Sequence, residues 1–198
     1  MLYLITNRHL VSHDAYFHVI GEAAKGGVDA VILREKDLAY DAYVDMAFKA
    51  KEIIKGTGTK LILHSHADAV STCGADGLHR TYGDIVEKKP SHIGLVGASI
   101  HSIEEAADAE KQGASYLLAG HIFETDCKKG AAPKGLELLQ GIKAQVSIPV
   151  IALGGIQPDN VQQVMSAGAD GIAVMSYIMT AKDPYRAAKV LKQALTPF

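Results

Sequence analysis

Val150-Ile151-Ala152-Leu153-Gly154-Gly155-Ile156 is an apolar run that stops on two glycines, and Gly171-Ile172-Ala173-Val174-Met175-Ser176 follows it one unit later. Strands buried on both faces read as continuous aliphatic runs of this kind. A glycine pair directly after such a strand lets the backbone come close to a ligand. In barrels of parallel strands, the loops after the seventh and eighth strands often turn backbone N–H groups toward a phosphate. Gly155 and Ser176 are therefore candidate phosphate-binding residues. Alone, Gly154-Gly155 fits a tight strand-to-helix turn equally well; its pairing with the next loop favours the ligand.

Toward the N-terminus, similar runs recur between segments of helical periodicity. The pattern predicts strands at Leu2–Thr6, Ala30–Leu33, Leu61–Leu63, Gly77–His79, Ile93–Ala98, Tyr116–Ala119, Val150–Leu153 and Gly171–Val174. Tyr43, Met46, Ala47, Ala50, Ile53 and Ile54 make one amphipathic stripe, and Ala187, Val190, Leu191, Ala194 and Leu195 another. Ser102-Ile103-Glu104-Glu105 has capping-box form, while Pro158, Asp159 and Pro184 suit helix starts. Glycines at Gly26-Gly27, Gly74, Gly113 and Gly168 stand where helices end and strands begin. Eight strand–helix units in one domain over residues 1–198 predict an α/β (β/α)8 TIM barrel; an open flavodoxin-like sheet is the structural alternative.

The chain has 198 residues, 48% of them hydrophobic, which supports one large core. Barrels of this class usually take roughly 250 residues, so the loops must be short. A net charge of −2 with no basic run disfavours nucleic acid as a partner. The N-terminus lacks the form of a signal peptide and no apolar stretch is long enough to span a bilayer, so a cytoplasmic protein without a membrane partner is expected. Cys73 and Cys127 lack disulfide or zinc spacing and are expected as thiols.

Arg34-Glu35-Lys36 ends the second strand, and alternation points Arg34 and Lys36 the same way, toward an anion at the barrel mouth or into a rim salt bridge. His121 follows the sixth strand and opens a polar loop. An imidazole titrates near neutrality and can carry a proton from one carbon to another, so His121 is the acid/base candidate; a structural histidine at a strand end fits the position as well. His64, His66 and His79 could converge on the same end, but no interleaved carboxylate supports a metal cage. Cys127 beside Lys128 is a weaker nucleophile candidate. No GxSxG, Walker A or GxGxxG motif is present.

Over nearly its whole length the sequence resembles the thiamin phosphate synthase superfamily, and within it the TenI branch of thiazole tautomerases. The resemblance rests on Leu33-Arg34-Glu35-Lys36, Gly74 to His79, Gly97 to Ser102, the Gly120 to Lys129 loop, Leu153 to Ile156 and Gly168 to Ser176. In synthases an Asn-Asp-Arg segment after the third strand supplies an aspartate for magnesium; His64-Ser65-His66 stands there instead. Asp84 matches a second metal-binding aspartate, while Thr81-Tyr82 replaces a Gly-Gln pair. Synthases have Gly-Pro where this chain has Gly120-His121, and the TenI branch has histidine there.

The resemblance thus implies an isomerase of thiamin biosynthesis that converts a carboxylated dihydrothiazole-ylidene ethyl phosphate to the aromatic carboxythiazole ethyl phosphate, without metal or organic cofactor. It implies proton transfer by His121, phosphate binding by Gly155 and Ser176, and a site lined by Arg34, Lys36 and Ser99. The expected partner is a small phosphorylated thiazole, with a homo-oligomer open. Two other functions stay in view: a transferase with thiamin phosphate synthase activity, and a non-catalytic, TenI-like ligand-binding or regulatory protein.

Overall fold

In the computed structural model, which describes residues 1–88, 94–125 and 130–196, eight parallel strands close on themselves. They are β1 (Leu2–Ile5), β2 (Ala30–Leu33), β3 (Lys60–His64), β4 (Gly77–Thr81), β5 (Leu95–Ile100), β6 (Tyr116–Gly120), β7 (Val150–Leu153) and β8 (Gly171–Val174). Each pairs with the next in chain order, and β1 pairs with β8 through Tyr3 beside Ala173. That last pairing makes the sheet a TIM-type barrel and removes the open-sheet alternative. Around it run α1 (His13–Lys25), α2 (Tyr40–Ile54), α3 (Ala67–Cys73), α4 (Tyr82–Glu87), α5 (Ile103–Lys111), α6 (Gly135–Lys143), α7 (Val161–Ser166), α8 (Ser176–Met179) and α9 (Pro184–Ala194).

Strand alternation divides the apolar residues into two cores. Leu2 and Leu4 face the helices and join an outer layer that includes Tyr43, Ala47, Ala50 and Leu191 from the two predicted stripes. Tyr3 and Ile5 face inward, where Ile32, Ile62, Tyr116, Leu118 and Ile151 fill the barrel. Tyr3 and Tyr116 meet edge to face, their ring centres 5.4 Å apart, a geometry that suits the quadrupoles of two aromatic rings. The lumen is packed at its base, so a ligand can enter only from the ends where the strands stop.

Three local expectations change. The fifth strand runs Leu95–Ile100 rather than ending at Ala98, which carries Ser99 into the sheet; Ile93 lies outside the described residues. Ser102 caps α5 by accepting from the Glu105 N–H at 3.2 Å, but the Glu105 carboxylate accepts from the His101 N–H instead of closing the box. A complete box sits on α4, where Thr81 and Asp84 cap each other. Pro158 lies in the turn before α7, held by the Asn160 side-chain Oδ1 accepting from the Gln157 N–H, whereas Pro184 does open α9 behind the Asp183 cap.

Candidate active site

The lumen-facing parity of each strand carries past its last pair, and this places the polar residues. Ala30 and Ile32 point into the barrel, so Arg34 and Lys36 do as well, while Glu35 points outward and is buried. The Glu35 carboxylate accepts from Thr6 Oγ1 at 2.7 Å, Tyr16 OH at 2.8 Å and the Arg8 N–H at 3.0 Å. Three donors from β1's end and α1 fix the strand that carries the two cations. Neither Arg34 nor Lys36 forms a side-chain ion pair among the described residues, so no rim salt bridge is made there.

A cavity of about 1020 Å³ opens at the C-terminal ends of the strands. All six residues singled out from the sequence, Arg34, Lys36, Ser99, His121, Gly155 and Ser176, line it. The glycine pair shapes one wall. Gly154 and Gly155 have φ of 102° and 65°, and a Cβ on Gly154 would stand 2.3 Å from that of His121. Only the missing side chain lets the β7 turn lie against the β6 turn, with its backbone bare toward the cavity.

Imidazoles make up much of the floor. His64 lies beside His79 in the sheet, and its backbone N–H donates to Tyr43 OH, which donates to the Leu33 carbonyl. Burial, with the nearby charges of Arg34 and Lys36, pulls the His64 pKa down to about 4, and burial pulls His79 well below its usual value. Both rings are neutral near pH 7. His101 also lines the cavity, its Nδ1 2.7 Å from the Gly120 carbonyl; the sequence reading passed over it, although its place two residues after Ser99 carries the same parity signal.

His121 is 5% exposed, and its Nε2 donates to the Ala131 carbonyl at 3.2 Å. That bond ties the ring to backbone, as the structural reading of a strand-end histidine requires. The metal question turns on oxygen ligands, which a hard divalent cation needs. Ser65 stands where the resemblance implied an aspartate, and one oxygen of the Asp84 carboxylate, Oδ2, accepts from the Thr81 N–H and hydroxyl. Among the described residues Glu124 is the one carboxylate lining the cavity, and no cluster of metal-binding side chains is present. The described residues do not fit magnesium. Cys127 lies outside the described residues.

A family model described as thiamine monophosphate synthase matches residues 2–178. The chain belongs to this family. It is 40% identical to the thiamine-phosphate synthase of Desulfitobacterium hafniense (strain Y51), covering 96% of this chain and 94% of that protein. It is 36% identical to the one from Methanoregula boonei, covering 98% and 93%. A solved thiamine phosphate pyrophosphorylase from Pyrococcus furiosus superposes with a TM-score of 0.87 at 34% identity, over 98% of this chain and 94% of that one.

These relatives overturn the expected tautomerase. That expectation weighed a few positions, chiefly His121 and Ser65, above the rest of the chain. Full-length similarity points instead to proteins named as synthases, and the proton-carrying role implied for His121 loses its reaction; the imidazole's bond to Ala131 gives a physical reason for its presence. Among the described residues no helix is long and apolar enough to cross a membrane.

Proposed function

We propose that this member of the family is a transferase that joins a phosphate-bearing thiazole to a pyrimidine carrying a diphosphate leaving group, giving thiamin phosphate. The observation that carries this reading is the near-complete coverage of relatives named thiamine-phosphate synthase. The thiazole nitrogen bonds to the pyrimidine's methylene carbon while the carbon–oxygen bond to diphosphate breaks, and the diphosphate departs with the electron pair. Arg34 and Lys36, unpaired among the described residues, offset the charge that builds on the departing group. Backbone N–H groups at Gly155 and Ser176 hold the thiazole's phosphate, and Ser99 contacts the diphosphate. His121 is assigned to the wall beside the ring.

The assay supplies thiazole phosphate, pyrimidine diphosphate and magnesium to the purified protein. Thiamin phosphate is the expected product. One observation favours a second reading: the poor oxygen-ligand set for magnesium fits a pocket that binds a thiazole phosphate without transfer. Measurable binding with no product would select that reading and sink the first.

A further inference from the structure

Beneath the cavity, three side chains on adjacent strands share one line of hydrogen bonds. His79 on β4 has Nδ1 3.0 Å from Tyr116 OH on β6 and Nε2 2.8 Å from Ser99 Oγ on β5. The register explains how a phenol on β6 reaches a ring on β4. His79 pairs with Gly97, and Gly97 pairs with Tyr116, so the contact crosses β5 over a residue without a side chain. A Cβ at Gly97 would lie 2.1 Å from Tyr116 Cζ and 2.5 Å from His79 Nδ1. The glycine is the gap through which the two groups meet.

The direction of the line follows from burial. His79 and Tyr116 are 1% and 2% exposed. Burial holds the imidazole neutral and, with Tyr3 beside it, keeps the phenol protonated. A neutral imidazole has one donor and one acceptor nitrogen. Tyr116 OH has His79 Nδ1 as its single polar side-chain partner among the described residues. Leaving a buried phenol proton unpaired is costly, so Tyr116 donates and Nδ1 accepts. The ring proton then sits on Nε2 and is donated to Ser99 Oγ. With that acceptor site filled, the Ser99 hydroxyl has its own proton to give, and Ser99 lines the cavity that also holds Arg34 and Lys36.

We infer that Tyr116 and His79 are positioning residues that fix the Ser99 hydroxyl as a donor into the cavity, so that this subsite offers a proton to a phosphoryl oxyanion. The inference rests on the cavity being an anion site, as the proposed transferase requires, and it adds what sets the polarity of one contact. Were Nε2 unprotonated, Ser99 would give its proton to the ring and could meet a ligand only as an acceptor.

Two measurements test it, and neither depends on turnover. Nitrogen-15 NMR of imidazole-labelled protein should show His79 protonated on Nε2; protonation on Nδ1 overturns the inference. Calorimetry with inorganic diphosphate should show Tyr116→Phe weakening binding by about three- to tenfold, the loss of roughly one neutral hydrogen bond's worth of order. In a Ser99→Ala background the same substitution should change nothing further, because its effect runs through that hydroxyl. Equal losses in both backgrounds would mark Tyr116 as a packing residue and sink the idea. Failure to form thiamin phosphate, with tautomer and coupling as expected, would remove the transferase reading alone.

Discussion

Arg34 and Glu35 are neighbours with opposite fates, and strand parity separates them. Arg34 points into the cavity without an ion pair among the described residues, so removing it leaves no buried partner behind. Arg34→Ala should lower affinity for inorganic diphosphate about tenfold or more by calorimetry, the scale of a charge-assisted hydrogen bond, with the melting temperature nearly unchanged. An unaltered affinity would remove Arg34 from the site. Glu35, in contrast, satisfies three donors and belongs to the scaffold. From the triplet alone the two roles were not separable beyond direction, since the donors on Thr6, Arg8 and Tyr16 are supplied by distant sequence.

Elements set distances that residues alone do not. The β6 and β7 turns touch at Gly154, where φ is 102° and a side chain has no room against His121. Gly154→Ala should therefore push the two turns apart, lowering stability by about 2 kcal/mol or more in denaturant melts and weakening phosphate binding with it. A variant as stable as the parent would show that the turns do not need this contact. The glycine pair was legible as a turn because the run before it is apolar and β-branched. Its contact with the His121 turn was not, because nothing in a local window reports which loop lies alongside. The fifth strand's two extra residues were missed for a similar reason: pairing with β6, rather than hydrophobicity, extends it to Ser99 and Ile100.

At the scale of the whole molecule, neutral imidazoles packed into the barrel make folding sensitive to acid. His64 has its pKa lowered from 6.5 to about 4, and His79 is also lowered. Between those values the unfolded chain binds protons that the folded chain does not, so stability falls as pH drops from 6.5 toward 4. The His64 share is roughly 3 kcal/mol at most. Denaturant midpoints should fall through this window, and His64→Gln should flatten part of the slope; an unchanged slope would mean His64 is protonated in the native state.

The sequence by itself determined the eight-unit barrel and brought out six residues that line the opening at the strands' C-terminal ends, because apolar period and strand parity are local properties of the chain. It did not determine the reaction: a histidine and a serine at two telling positions favoured a tautomerase, while similarity over the full length favoured synthases. Only the tertiary structure decided which polar groups are neutral, which are engaged and which face the cavity. Burial and hydrogen-bond partners come from strands distant in sequence, as Tyr116 reaching His79 across Gly97 makes plain.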